Sequence, residues 1–153
     1  MKLSMQKGSF PSETSLFISG SPEETIAAGE RIGLMLNKGD VVALSAPLGA
    51  GKTVFVKGIA RALGVEDTIT SPSYTIISEY QGKTGLFYHI DAYRLSGCAD
   101  FIEIGGEEIL FGEGICIVEW SERIAELLPV QTINITIRVT GAYKREIVYE
   151  NSN

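Results

Sequence analysis

Two cysteines and one histidine are all that 153 residues supply of thiol and imidazole. Cys98 and Cys116 stand far apart in the chain, and neither lies at metal-ligand spacing from another Cys or a His, which excludes a disulfide framework and a zinc site. A reducing cytoplasm is the expected setting. No run of about 18 apolar residues occurs, so no membrane-spanning helix is expected, and MKLSMQKGSFPSETS lacks the apolar core of a secretory signal. Positive charge is scarce too: 13 Lys plus Arg stand against 19 Asp plus Glu, a net −6. Such a chain neutralises few phosphates, so DNA is not an expected partner, and any contact with RNA would need a basic partner. Repeats, linkers and low-complexity tracts are missing as well.

What remains is 44% hydrophobic and long enough for one domain with a real core. Residues 1–14 are polar and turn-rich and read as a flexible leader; residues 15–150 read as one domain. Leu16 to Ile18 is a short strand. A helix is predicted over 21–36, with Ser21 as N-cap, Pro22 at the first helical position, Glu24 completing a capping box, and Ile26, Gly29, Ile32 and Leu36 on one face. Val41 to Ser45 is a near-continuous apolar run, the pattern of a parallel strand buried on both faces. A second helix is expected over 52–63, ended by Gly64. Thr75 to Tyr80 and Leu86 to Asp91 read as a strand pair, 99–111 as a short helix, Ile115 to Glu119 as a buried strand and 121–128 as another helix. Thr132 to Val139 and Glu146 to Glu150 alternate as a closing antiparallel pair. The pattern describes an α/β fold: a mixed, mostly parallel sheet with helices on both faces and a C-terminal antiparallel strand pair.

The strongest chemical signal is APLGAGKT, residues 46–53, set between a buried strand and a helix at P-loop spacing, with Ala46 in the first glycine position. Such a loop wraps its backbone N–H groups around phosphates at a helix N-terminus, where side chains would block the approach. Leu48, Gly49, Ala50 and Gly51 form that cradle. Lys52 brings a mobile positive charge to the phosphates, and the Thr53 hydroxyl suits Mg²⁺. The methyl of Ala46 asks for negative φ at the loop entry. A P-loop also needs a carboxylate at the end of a neighbouring strand, and two strands end in one: Asp91 and Glu119. Spacing alone leaves open which of them holds metal and which acts on water. Asn37-Lys38-Gly39-Asp40 matches the string that reads guanine in GTPases, but it precedes the P-loop and is an ordinary helix-ending turn.

LGAGKT at 48–53, SPSYT at 71–75, HIDAYR at 89–94, EIGGEEIL at 103–110 and IVEW at 117–120, in this order, resemble the bacterial TsaE (YjeE) family over roughly residues 15–150. Ala46-Pro47 replaces a Gly-Asp usual in that family, and Ser73 a Thr. The resemblance implies a P-loop ATPase of tRNA threonylcarbamoyladenosine biosynthesis that docks on a TsaB–TsaD complex and resets it between turnovers, meeting tRNA only through that complex. It further implies that Thr53 and Glu119 hold Mg²⁺, that Asp91 acts near phosphates and metal, that 71–75 is a switch loop, and that Ser21 and Arg145 lie near the nucleotide.

Of the other polar residues, His89 shares a strand face with Asp91 and reads as a histidine hydrogen-bonded inside the sheet, with a catalytic base as the lesser alternative. Arg94 reads as an arginine finger, a partner contact or half of a salt bridge, and Trp120 as core or partner contact facing away from Glu119, with adenine stacking as the lesser alternative. Two rival functions are a small-molecule or nucleotide kinase and a nucleotide-binding scaffold without turnover. A kinase clamps the transferred phosphate with an Arg-rich lid, and no arginine lies between residues 95 and 122.

Overall fold

The computed structural model describes residues 14–151. The leader expected over residues 1–14 thus lies almost wholly outside the described residues. Among these residues seven strands form one sheet: β1 (Ser15–Ser19), β2 (Val41–Ser45), β3 (Ile77–Gln81), β4 (Leu86–Asp91), β5 (Ile115–Glu119), β6 (Ile133–Val139) and β7 (Arg145–Asn151), in the order β1-β7-β6-β2-β5-β4-β3. The centre, β6-β2-β5-β4, is parallel; β1-β7, β6-β7 and β3-β4 are antiparallel. The expected mixed sheet is present, and the closing pair is β6-β7.

The apolar strands alternate between two cores. Val42, Leu44, Ile115 and Ile117 face the helices α1 (Pro22–Gly33) and α2 (Lys52–Ala62), while Val41, Cys116 and Val118 face Phe101, Leu110 and Ile124 on the opposite side. That double burial is why these strands read as unbroken apolar runs. Cys116, in the second core, is a free thiol pushed up to about 12 by burial.

Ser21 accepts a hydrogen bond from Glu24 N, and the Glu24 carboxylate reaches back to Gly20 N rather than to Ser21 N, so the capping box closes one residue early. α1 ends at Gly33 rather than at residue 36. It packs on α2 through glycines: a Cβ on Gly29 would meet Phe55 O at 2.3 Å, and one on Gly58 would meet Ile26 O at 2.2 Å. α2, which carries the P-loop, is thereby held at backbone contact distance from α1.

Three further local expectations are corrected. The helix expected over 99–111 is two short ones, α3 (Cys98–Glu103) and α4 (Gly106–Leu110), separated where Gly105 turns to φ 84°. A left-handed residue cannot continue a right-handed helix. The segment Ser121–Leu127 is a 3₁₀ helix interrupted at Ile124, whose side chain is drawn fully into the second core. The strand expected from Thr75 begins at Ile77, because Ile76 stands at φ 67° and closes a turn with its N–H on Pro72 O.

Candidate active site

The loop between β2 and α2 is built by its backbone. Ala50 N bonds Pro47 O at 3.1 Å, Gly49 and Gly51 take φ of 79° and 94°, and Gly51 opens α2 with no side-chain cap. The first-turn N–H groups of α2, which helix geometry leaves without intrahelical acceptors, are therefore not consumed by a capping side chain. A Cβ on either glycine would meet nothing within 4 Å. Within the protein these glycines answer to positive φ rather than to crowding. Ala46 is not among the positive-φ residues, as its methyl requires.

Beside the loop the parallel strands end in a cleft of about 860 Å³, bordered by Leu48, Gly49, Gly51, Lys52, Thr53, Asp91 and Glu119. Asp91 and Glu119 are register partners on the last rung of β4-β5, so adjacent strand ends carry the two carboxylates. Lys52 Nζ lies 3.3 Å from Glu119 Oε1, and His89 Nε2 donates to Glu119 Oε2 at 2.5 Å. Burial by itself would raise the Glu119 carboxyl; the His89 hydrogen bond and the positive charge of Lys52 outweigh it and hold the carboxyl below its usual range. Asp91 Oδ1 accepts from Tyr93 N at 3.0 Å, which fixes its direction at the strand end.

Ala50 does not reach the cleft. It is buried, and its carbonyl accepts from Arg145 Nε at 3.0 Å. On that side of the loop a smaller hollow of about 110 Å³ is bordered by Ser21, Ala50, Tyr143 and Arg145, with Gly49, Gly51 and Val54 shared between the two. The chain thus brings Ser21 and Arg145, 124 residues apart by number, to the outer flank of the loop.

Other side chains enter the site against or beyond expectation. Trp120 is not in either core: it is 38% exposed, lines the cleft, and lies with its ring 5.8 Å from Lys52 Nζ and 4.8 Å from the Tyr93 ring. Strand alternation would point it away from Glu119, but β5 stops at Glu119 and Trp120 turns to φ 56°. Arg94 stacks over Tyr74 at 4.5 Å rather than pairing with an acid in any ion pair among the described residues, and so ties segment 71–75 to the end of β4. Ser71 and Ser73 line the same cleft and share a 2.8 Å hydrogen bond. Tyr143 had no signal beyond its place in the last hairpin. Asn37 to Asp40 closes on itself through Asn37 N to Asp40 Oδ2 at the start of β2, the opposite end of the strand from the cleft.

Among the described residues no cluster of three or more His, Cys, Asp or Glu side chains forms a metal cage. A hydroxyl and a carboxylate on an open cleft suit Mg²⁺, which keeps waters and takes phosphate oxygens.

Residues 19–147 match the family model described as "Threonylcarbamoyl adenosine biosynthesis protein TsaE". The chain is similar to the tRNA threonylcarbamoyladenosine biosynthesis protein TsaE of Treponema pallidum, 45% identical over 130 residues covering 85% of this chain and 96% of that one. The protein of the same description from Bacillus subtilis is 40% identical over 129 residues, 84% of this chain and 80% of that one. Among solved structures, Bacillus subtilis YdiB superposes with a TM-score of 0.76 at 36% identity, covering 95% of this chain and 90% of that one.

Proposed function

The chain belongs to the TsaE family, and from that premise we propose that it is an ATP-binding and ATP-hydrolysing component of tRNA threonylcarbamoyladenosine biosynthesis. The observation that carries the ATPase reading is the convergence of Lys52, Asp91 and Glu119 beside a loop with left-handed Gly49 and Gly51. The loop N–H groups and Lys52 take the phosphates of ATP, and Lys52 leaves Glu119 to do so. Thr53 and Glu119 hold Mg²⁺, which neutralises phosphate charge when bound. Asp91, directed by Tyr93 N–H, acts beside phosphates and metal. Ser21 and Arg145 flank the nucleotide from the smaller hollow. Residues 15–150 serve as one ATPase domain.

In this reading hydrolysis is slow in the isolated protein and is stimulated by TsaB and TsaD, whose complex it resets between turnovers. The protein works in the cytoplasm and reaches tRNA only through that complex. Two observations support water rather than a second substrate as the phosphate acceptor. Arg94 is the sole arginine on the cleft among the described residues, and it is engaged with Tyr74. The test measures phosphate release with and without purified TsaB and TsaD, with nucleoside analysis of tRNA from depleted cells. Stimulated release and lost threonylcarbamoyladenosine are expected. Normal levels of the modification would overturn the tRNA role, and ATP-dependent phosphorylation of a small molecule would install the kinase reading.

A further inference from the structure

We propose that His89 is the positioning residue that orients Glu119 toward a divalent cation beside the nucleotide, an inference that rests on the ATPase reading above. His89 is wholly buried in β4, and its Nε2 donates to Glu119 Oε2 across the β4-β5 pair at 2.5 Å. Its Nδ1 is also buried and has no hydrogen-bond partner among the described residues. Burying an imidazole carries a desolvation cost that an apolar side chain would avoid, and a ring placed to complete a network inside the sheet would use both nitrogens. Among the described residues the one hydrogen bond this ring makes is to Glu119.

That bond divides the carboxylate. Oε2 is held from within the sheet, and Oε1 lies toward Lys52 at 3.3 Å. When Lys52 moves to phosphate, Glu119 loses its cationic partner but keeps His89. Oε1 is then the oxygen presented to the cation, in an orientation set beforehand. A carboxylate without this anchor has a broad, soft terminal torsion and must be ordered on binding. Hydrogen bonds that orient a metal ligand typically change metal affinity by about 10–100-fold.

The test is calorimetric titration of the full chain with ADP in EDTA and across a Mg²⁺ series, for wild type, His89→Leu, His89→Gln and His89→Asn. His89→Leu is expected to lose about 10–100-fold in apparent Mg²⁺ affinity while keeping its ADP affinity in EDTA. His89→Gln, whose amide N–H reaches as far as Nε2, recovers most of the loss; the shorter His89→Asn does not. Unchanged Mg²⁺ dependence in His89→Leu, or an equal loss of ADP affinity in EDTA, overturns the proposal. Should His89→Leu fail to fold, equal Mg²⁺ dependence in the Gln and Asn variants overturns it. Failure of the ATPase reading looks different: wild type itself would bind no nucleotide or ignore Mg²⁺, and the inference would fall with it.

Discussion

The parallel strands end at a hollow of about 860 Å³ beside the P-loop and begin at one of about 560 Å³ lined by Gly85, Gly105, Gly112, Gly114, Lys38 and Glu108. Both have room for a small molecule. At the carboxyl ends, Lys52, Asp91 and Glu119 converge, and Glu119 is bonded from two sides. The two non-glycine residues with positive φ among the described residues, Ile76 and Trp120, stand there also, one before the strand pair that leads to Asp91 and one directly after Glu119. At the amino ends the left-handed turns are taken by glycines, Gly39, Gly85 and Gly105. Strain carried by side-chain-bearing residues is thus confined to one end of the sheet, where neighbouring structure holds it: Ile76 O accepts Asp91 N, and Glu119 O accepts Ala92 N. Volume does not distinguish the two hollows; convergent charge and retained strain do.

The comparison is most exposed at Lys52. Lys52→Ala is expected to cut ATP hydrolysis by about 1,000-fold and to weaken ATP binding, since it removes the main cation on the phosphates. Full activity in a folded variant, by phosphate release and calorimetry, would break it outright. Glu119→Ala and Asp91→Ala come next, each expected to lower hydrolysis by about 100-fold while circular dichroism still reports the fold.

A matched pair of glycines sharpens the contrast. Gly51 and Gly105 stand at φ 94° and 84°, and a Cβ on either would meet nothing within 4 Å. Alanine at either position should cost about 1–2 kcal/mol in denaturant titration, the penalty of left-handed backbone. Only Gly51→Ala should also lose ATP affinity.

A smaller effect concerns acid. The Glu119 carboxyl is held below its ordinary value of 4.5, so the folded state binds that proton less readily than the unfolded chain does. Its contribution to stability is full above that ordinary value and is lost as pH falls through the depressed one. The stability gap between wild type and Glu119→Gln should therefore shrink on acidification, and a gap that widens would contradict the ion pairs drawn here. Least of all should change on Lys38→Ala at the amino-end hollow, where hydrolysis and ATP affinity are expected to match wild type. A clear loss there would mean that the second hollow belongs to the site.

Much of this was legible because it is written locally. A P-loop is a run of adjacent residues between an apolar strand and a helix, so 46–53 could be placed without knowing any distant contact. Asp91 and Glu119 were visible as the polar ends of apolar strands. The failures came where one residue's backbone departs from its element. Period-two alternation sends Trp120 away from Glu119, yet at φ 56° the chain has left the strand and the ring enters the cleft. Gly105 divides a segment whose apolar spacing suits one helix, since spacing carries no φ.

By itself the sequence determined the order of the strands and of the first two helices, the double-sided burial of the central strands, the phosphate loop and the family, all of which rest on short-range pattern and residue type. Only the tertiary structure decided that β4 and β5 are neighbours in register, so that Asp91 meets Glu119 and the buried imidazole of His89 reaches Oε2. It also decided that Arg145 closes on Ala50 from the far end of the chain. Hydrogen bonds act over about 3 Å, and which polar atoms come that close depends on pairing between distant segments, set by the burial of the whole sheet rather than by any one stretch of it.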